Sequence, residues 1–205
     1  MPLHLHLTPD ATTNIWIWEA TESLEWLTKK VGESKTKQLT EGVKSQQRIR
    51  ELLVTHLLLS LAHIEKLQHD SNGKPLCREY TSISISHSRQ WIALATHTTS
   101  VIGIDLETNA PKVLKVARRF MSEEELSRLP VDNVPCMLAC WCAKEAAYKI
   151  FGQPATDFRT ALKIDTFTPQ AEGRMMITLS VTPPQHLQLH YLHHPDYMLV
   201  YGTQD

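Results

Sequence analysis

The chain has 205 residues, of which 42% are apolar, enough for one large domain or two small domains with packed cores. Its 21 basic and 22 acidic side chains give a formal charge of -1, so no overall basic field indicates binding to nucleic acid or to an anionic membrane. Any anion-binding site must therefore be local.

The N-terminal sequence and the cysteines indicate a soluble cytoplasmic protein without disulfides. The first six residues lack the basic start and apolar core of a signal peptide, and the longest apolar stretch, 52–62, is too short to cross a bilayer. Three of the four cysteines, Cys136, Cys140 and Cys142, fall in one predicted helix, which is a poor framework for disulfides. Cys136 and Cys140 could hold a metal, but no zinc motif accompanies them, and buried core cysteines are the preferred interpretation.

The first half of the chain is predicted to contain helices followed by strands. An aromatic, β-branched strand covers 14–18 and a short helix covers 21–30. Apolar residues three and four apart predict a long amphipathic helix over 44–66, and a turn follows at 71–75. The next three segments have short turns between them and predict an antiparallel meander of strands: 81–86, 91–96 and 101–107.

The second half repeats this order. Pro111 begins a basic helix, and Ser122 to Glu125 fits a capping box for another. Pro135 at one end, with Gly152 and Pro154 at the other, brackets a long helix. Three strands are predicted after it: 174–182, 187–193 and 197–202. We therefore expect an α+β fold of two similar halves, 1–108 and 109–205, with a helical connector over about 109–130.

Three carboxylates in two of these elements predict a metal site. Strand alternation puts Asp105 and Glu107 on one face, where Gly103 leaves room for close approach to the backbone. Glu145 and Lys149 share a helix face. If Glu145 faces the strand pair, carboxylates about 4 Å apart repel by roughly 4 kcal/mol at an effective dielectric of about 20, and a cation relieves this. Oxygen ligands favour Mg²⁺ or Mn²⁺. A surface ion pair and an ordinary strand end are the alternatives.

These motifs, taken together in order, resemble the 4'-phosphopantetheinyl transferases of the pseudo-dimeric, surfactin-synthetase type. The segments that carry the resemblance are Gly103 to Glu107, Trp141 with Lys144-Glu145-Ala146 and Lys149, and Ile85 to Ser88. Gly73 to Pro75, and Arg118 to Ser122 with Glu125, fall where the family has matching segments, so the resemblance spans roughly 37–151. It implies two halves related by a pseudo-two-fold, one active site between them, and a monomer.

The resemblance also implies a reaction. The phosphopantetheine arm of coenzyme A moves to a serine of an apo acyl or peptidyl carrier protein, with release of adenosine 3',5'-bisphosphate. Asp105, Glu107 and Glu145 would hold Mg²⁺, or Mn²⁺, on the pyrophosphate. Glu145, or a water, would accept the serine proton, and Lys144 and Lys149 would neutralise the pyrophosphate, with Lys149 assisting departure of the bisphosphate.

Further contacts are implied for coenzyme A and for the carrier. Coenzyme A would contact six more residues: Lys37 with Lys35 as the alternative, Arg50 with Arg48 as the alternative, Lys74, Pro75, Ser86 and His87. An acidic carrier helix would dock on a basic stripe with two apolar anchors: Lys112, Lys115, Arg118, Arg119, Phe120 and Met121. A solvated basic helix face is the alternative interpretation of that stripe.

Two other functions fit parts of the pattern. A Mg²⁺-dependent phosphohydrolase could use the same carboxylates, and it would hydrolyse a phosphate ester without any carrier. A catalytically silent carrier-binding protein would be expected to have lost a metal ligand. Because Asp105, Glu107 and Glu145 are all present, the transferase is the prediction carried forward.

Overall fold

The computed structural model describes residues 3–152 and 157–204, and the chain divides into two compact units between Thr99 and Ser100. Each unit combines helices with an antiparallel sheet, which confirms the α+β prediction. None of the helices in the described ranges is long and apolar enough to cross a membrane. Pro154, expected to help end the long helix, lies outside the described residues.

The first unit contains a four-stranded sheet in the order β1-β2-β6-β5, with every neighbouring pair antiparallel. A two-stranded pair, β3 with β4, lies between the helices and the last hairpin in sequence. In chain order the elements are β1 (Leu3–Leu7), β2 (Thr13–Glu19), α1 (Leu24–Val31), α2 (Glu33–Thr40), α3 (Gln46–Leu61), β3 (Gln68–His69), β4 (Pro75–Leu76), β5 (Ser82–Ser88) and β6 (Trp91–His97).

The predicted long amphipathic helix of this unit corresponds to α3, which packs on the sheet. Ser45 caps its first turn, since the Ser45 hydroxyl accepts a hydrogen bond from the amide of Arg48. Leu53 and Leu58 are fully buried and belong to the same apolar cluster as Ile92 and Leu94 of β6. This cluster is the hydrophobic core of the first unit.

The second unit contains a five-stranded antiparallel sheet in the order β7-β11-β10-β9-β8. In chain order its elements are β7 (Val101–Thr108), α4 (Lys112–Val116), a single 3₁₀ turn (Ala117–Arg119), α5 (Glu123–Arg128), α6 (Val134–Phe151), α7 (Phe158–Ala161), β8 (Leu162–Ile164), β9 (Glu172–Leu179), β10 (Gln185–His193) and β11 (Tyr197–Gln204).

The third strand of the predicted meander belongs to the second unit. β5 and β6 form the expected hairpin, but β7 pairs with β11 along its whole length. The division of the chain therefore lies before β7, whereas the sequence predicted it after residue 108. The physical reason is pairing and packing: β7 is paired with β11 from Val101 to Thr108, and α6 packs on the face of β7 that carries Gly103.

The long helix of the second unit, α6, has the ends that its sequence predicts. Asn133 caps the N-terminus by accepting a hydrogen bond from the amide of Cys136 at 2.8 Å. Gly152 ends the helix in the left-handed conformation, with φ of 63°, and its amide donates to the carbonyl of Tyr148. Cys136, Cys140 and Cys142 of α6 are fully buried free thiols, as predicted for core residues.

The close approach predicted at Gly103 is made by α6. A Cβ atom built on Gly103 would lie 2.3 Å from the carbonyl oxygen of Ala146 and 2.7 Å from Cγ1 of Ile150. Only glycine permits this contact without moving the helix backbone. Because Asp105 and Glu107 share the strand face of Gly103, their side chains also point towards α6.

Candidate active site

Two elements of the second unit, β7 and α6, form the candidate site. Trp141, Glu145 and Lys149 lie four residues apart on α6 and therefore project from one side of the helix. Asp105 is 6% exposed, and its Oδ1 accepts a hydrogen bond at 2.9 Å from Nζ of Lys149. The same ammonium donates to the carbonyl of Ile104 at 2.7 Å. Lys149 thus ties the helix to the strand at the most buried carboxylate of the site.

Glu107, at the end of β7, is oriented by an aromatic side chain. The indole Nε1 of Trp141 donates to Oε1 of Glu107 at 3.4 Å. The Trp141 ring is itself held by Phe120, with ring centroids 5.1 Å apart, and by Phe158 at 6.0 Å. No local sequence pattern predicts this polar contact, because Trp141 and Glu107 are 34 residues apart.

Glu145 lies between these contacts and is partly buried on α6. Burial and the negative charge of Asp105 raise the pKa of Glu145 from 4.5 to about 7; the Lys149 ammonium lowers it, and the Glu107 carboxylate adds to the increase. Asp105 and Glu107 are therefore close enough to disfavour the charged form of Glu145. A bound cation would remove this penalty.

The donor set fits a hard divalent cation, although the side chains are not gathered into a complete ligand shell. Carboxylate oxygens are the ligands that Mg²⁺ and Mn²⁺ prefer. Within residues 3–152 and 157–204, no group of three or more His, Cys, Asp or Glu side chains is close enough to hold a metal ion. At Asp105 the positive charge of Lys149 stands beside the carboxylate that a cation would contact.

Cys142 contributes to the packing of this site rather than to its ligands. Burial raises the pKa of the Cys142 thiol well above its usual range, and the nearby charges of Asp105 and Glu107 raise it further. The thiol thus stays protonated and unsuited to bind a metal. Its Sγ lies 3.9 Å from the carbonyl oxygen of Met198 on β11.

Lys144 was expected at the pyrophosphate, and the structure corrects this. Its side chain is 0% exposed, and its Nζ donates to three oxygens: the carbonyls of Phe120 at 2.8 Å and Phe158 at 3.0 Å, and Oε2 of Glu125 at 2.8 Å. An ammonium has three donors, so none remains for a phosphate. Burial lowers the pKa of Lys144, and the charge of Glu125 opposes that shift.

The partner of Lys144, Glu125, joins three segments of the second unit: α5 with its N-cap, α6 and β8. Glu125 is 1% exposed and completes the predicted capping box of α5 by accepting from the amide of Ser122 at 2.8 Å. Its other oxygen, Oε1, accepts from the amide of Ile164 on β8 at 2.9 Å. The sequence predicted the capping box but not the buried pair with Lys144, which is 19 residues away.

In the first unit, the structure favours Arg48 over Arg50 as the basic neighbour of His87. Nη1 of Arg48 lies 3.2 Å from Nε2 of His87 and 3.0 Å from the carboxylate of Glu51. Arg50 instead donates to the backbone carbonyl of Glu22 at 2.7 Å. Arg50, which was expected at the 3'-phosphate, is thus bound to the backbone. Arg48, the alternative, lies beside His87.

The other residues predicted to contact coenzyme A are found in varied settings. Ser86 is buried and His87 is exposed, because strand alternation puts them on opposite faces of β5. Lys37 is exposed on α2, whereas Lys35 donates to the side chain of Gln38. Lys74 follows a turn and is partly buried, which lowers its pKa, and Pro75 lies in β4.

The basic stripe predicted for carrier docking is exposed, but its two apolar anchors are not. The exposed members are Lys112, Lys115, Arg118 and Arg119. Arg118 forms an ion pair with Glu123 at 2.5 Å. Phe120 and Met121 are each 2% exposed and belong to the core of the second unit. Neither side chain is available to a partner, which corrects the prediction of these anchors.

Comparison with known proteins relates the second unit to one family. Residues 101–201, which include both β7 and α6, match the model of the 4'-phosphopantetheinyl transferase superfamily. The chain is 31% identical over 113 residues to 4'-phosphopantetheinyl transferase psf-1 of Bacillus pumilus, a match that covers 50% of this chain and 48% of that protein. It is 34% identical over 90 residues to a 4'-phosphopantetheinyl transferase of Bacillus subtilis, covering 40% of each. The chain spans less than half the length of either relative in these matches.

Proposed function

Because the chain belongs, through residues 101–201, to the 4'-phosphopantetheinyl transferase superfamily, we propose that it transfers the phosphopantetheine arm of coenzyme A to a carrier protein. The acceptor is a serine hydroxyl of an apo acyl or peptidyl carrier protein, and the second product is adenosine 3',5'-bisphosphate. The observation that carries the proposal is the arrangement of Asp105, Glu107, Glu145 and Lys149 on the facing sides of β7 and α6.

The carboxylates are proposed to hold Mg²⁺, or Mn²⁺, against the pyrophosphate of coenzyme A. The support is chemical: all three donors are carboxylate oxygens, and burial together with the charges of Asp105 and Glu107 raises the pKa of Glu145. The bound cation would supply charge neutralisation for the pyrophosphate. Trp141 would keep the Glu107 carboxylate in place through its indole N–H.

Glu145 is proposed to act on the incoming serine, and Lys149 on the leaving bisphosphate. The incoming serine must lose a proton as its oxygen bonds to the β-phosphorus, and Glu145 is the carboxylate proposed to accept it, directly or through a water. The leaving bisphosphate gains negative charge, which the Lys149 ammonium would stabilise. Lys149 is partly exposed, so substrate can reach it.

The first unit is proposed to bind the adenosine portion of coenzyme A. Arg48 and His87 lie side by side and could jointly hold the 3'-phosphate, with Arg48 replacing Arg50 in this role. Lys74 and Pro75 would border the adenine, and Lys37 would add an exposed positive charge. The carrier is proposed to dock on the basic residues of α4 and the following 3₁₀ turn.

A mass measurement tests the proposal. The full chain is incubated with coenzyme A, Mg²⁺ and a panel of apo acyl and peptidyl carrier proteins, and each carrier is examined for the added phosphopantetheine mass. We expect at least one carrier to be modified, and we expect chelation of the metal to stop the reaction. If no carrier gains the mass, the transferase proposal is wrong; consumption of coenzyme A without any carrier would indicate a phosphohydrolase instead.

Isosteric variants test the site. Asp105→Asn and Glu145→Gln keep the shape of each side chain but remove its charge, so transfer should fall about 100-fold or more. Glu124→Gln, an exposed carboxylate on α5, is the matched control and should leave the rate unchanged. Near-normal transfer by either site variant would remove that residue from the proposed metal site.

A further inference from the structure

One buried carboxylate of the first unit takes no part in the proposed transfer. Glu51 lies in the second turn of α3, and its side chain is 11% exposed. A carboxylate removed from water in this way destabilises the fold unless its oxygens accept hydrogen bonds. The partners of Glu51 therefore indicate why an acidic residue stands at this position.

The two oxygens of Glu51 accept from two side chains of the same helix. Oε2 accepts from Nη1 of Arg48 at 3.0 Å, and Oε1 accepts from Nε2 of Gln47 at 3.1 Å. These two residues lie three and four positions before Glu51, so one face of the helix carries all three side chains. A glutamine at position 51 would offer a single acceptor oxygen and could not serve both donors. The two contacts together require a carboxylate.

Gln47 joins this group of side chains to the turn that follows β5. Its Nε2 also donates to the carbonyl oxygen of Arg89, which has a positive φ of 54° between β5 and β6. This turn comes directly after the end of the strand that carries His87. The first turns of α3 are therefore held against the strand end at which His87 lies.

Arg48 and His87 meet at this junction with atoms that can serve a ligand. Nη1 of Arg48 lies 3.2 Å from Nε2 of His87, and because arginine only donates, Nε2 is the acceptor. The imidazole then carries its proton on Nδ1, which can donate to an anion. The side chains of Arg48 and His87 are 50% and 45% exposed, so an anion can reach both of them from solvent.

We propose that Glu51 is a positioning residue that aligns Arg48 and His87 for the 3'-phosphate of coenzyme A. The inference rests on the proposed function and makes it more specific, because Glu51 then determines selectivity for the 3'-phosphorylated nucleotide. Glu51 contacts Nη1, and the planar guanidinium has two further nitrogens that can donate to a phosphate. An arginine that is already oriented loses less rotamer entropy when the phosphate binds.

The negative charge of Glu51 also has an opposing effect, because it repels a phosphate. This repulsion is expected to be the smaller effect. The Glu51 carboxylate is compensated at 3.0 Å by the guanidinium of Arg48, and Coulomb repulsion weakens with distance from a phosphate bound beyond that guanidinium. Removing the charge of Glu51 should therefore weaken phosphate binding rather than strengthen it.

Binding of coenzyme A and of 3'-dephospho-coenzyme A to the full chain tests the proposal. Isothermal titration calorimetry with Mg²⁺ present measures both dissociation constants without a carrier. Glu51→Gln keeps the shape of the side chain and removes one acceptor, and Gln47→Ala removes the second tether from an exposed residue. Glu25→Gln is the matched control, because it makes the same carboxylate-to-amide change at an exposed residue of α1.

We expect Glu51→Gln to raise the dissociation constant for coenzyme A about tenfold and that for 3'-dephospho-coenzyme A less than about twofold. Gln47→Ala should cause a smaller loss in the same direction, and Glu25→Gln should change neither constant. When Arg48 is already replaced by alanine, Glu51→Gln should have no further effect, because Glu51 acts through Arg48. A merely structural role of Glu51 would instead weaken the binding of both nucleotides.

Three results overturn the proposal. The first is tighter binding of coenzyme A by Glu51→Gln, which would show that repulsion dominates. The second is an equal loss for the two nucleotides, and the third is a loss that persists after Arg48→Ala. Circular dichroism identifies a Glu51→Gln chain that does not fold, and Gln47→Ala then provides the result.

The outcome for the transferase proposal is read separately. Native carriers are assayed in parallel for the added phosphopantetheine mass. If the wild-type chain binds both nucleotides equally and still modifies a carrier, the inference about Glu51 is wrong and the transfer reaction stands. If the chain prefers coenzyme A in a way that depends on Glu51 but modifies no carrier, the inference stands and the transfer reaction is wrong.

Discussion

Two lysines of α6, five residues apart, have opposite environments. Lys144 is fully buried and bonded to Glu125 and two backbone carbonyls, whereas Lys149 is partly exposed beside Asp105. The family resemblance assigned both to the pyrophosphate, because both belong to the same motif. Burial distinguishes the two lysines. The burial of Lys144 depends on contacts with Glu125 and Phe158, which are distant from Lys144 in sequence.

Replacing each lysine by methionine should separate stability from activity. Lys144→Met leaves the Glu125 carboxylate buried without its cation, so the free energy of unfolding should fall by about 3–5 kcal/mol. Lys149→Met should reduce stability less, because its ammonium is partly hydrated, but it should slow transfer about 100-fold. Urea unfolding and transfer rates per folded molecule measure the two effects. Equal loss of transfer in both variants would contradict the structural role of Lys144.

The carboxyl of Glu145 predicts a pH dependence for metal binding. Its pKa is about 7 in the metal-free fold and 4.5 in an unfolded chain, so ionisation of this group destabilises the metal-free fold progressively as the pH rises from 4.5 to about 7. A cation must displace the proton below pH 7. The affinity for Mg²⁺ should therefore rise with pH and level off above about 7.

Thermal melting with and without Mg²⁺ checks this prediction about one pH unit below and about one unit above the pKa of Glu145. The shift in melting temperature caused by Mg²⁺ should be larger at the higher pH in the wild-type chain. In Glu145→Gln, whose side chain cannot ionise, Mg²⁺ should cause only a small shift in melting temperature, and this shift should be the same at both pH values. A pH-independent shift in the wild-type chain would contradict the assignment of Glu145 as a ligand.

Among the elements, helix ends were predictable from sequence and strand partners were not. The caps of α6 depend on Asn133, Pro135 and Gly152, all of which lie within the helix or next to it in sequence. The partner of β7 is β11, more than 80 residues away, and nothing in the sequence of β7 identifies it. A short turn before β7 suggested a meander instead, which is why its unit was assigned wrongly.

The contact between β7 and α6 gives a prediction at Gly103. In Gly103→Ala the new methyl group would meet the carbonyl oxygen of Ala146, and a backbone atom cannot move aside without the helix. Stability should fall by about 1–3 kcal/mol. Transfer should fall about tenfold or more, because Glu145 and Lys149 move with α6 away from the strand carboxylates.

A second substitution in β7 provides the control for Gly103→Ala. Ile102→Val removes one methylene from a fully buried residue and should cost about 0.5–1.5 kcal/mol without displacing the helix. Its transfer rate should equal that of the wild-type chain. If Ile102→Val loses as much activity as Gly103→Ala, the loss reflects reduced stability rather than the spacing between β7 and α6.

At the scale of the whole molecule, the charge is nearly balanced but unevenly distributed. The formal charge of -1 excludes a general attraction for acidic partners, so any such attraction must come from local clusters. The exposed residues of α4 and the 3₁₀ turn form one such cluster: Lys112, Lys115, Arg118 and Arg119. This stripe was predictable because its spacing is local, whereas the burial of Phe120 and Met121 beside it depends on the packing of the core of the second unit.

The local field predicts how reversing one charge affects carrier recognition. Arg119→Glu should raise the KM for carrier about three- to fivefold at low salt and leave the KM for coenzyme A unchanged. The increase should diminish as ionic strength rises, because exposed charges are screened over about 10 Å at 0.1 M salt. Arg174→Glu makes the same change in net charge on β9 and should leave both KM values unchanged. If Arg174→Glu raises the KM for carrier equally, overall charge governs recognition; if Arg119→Glu raises the KM for coenzyme A, that arginine belongs to the nucleotide site.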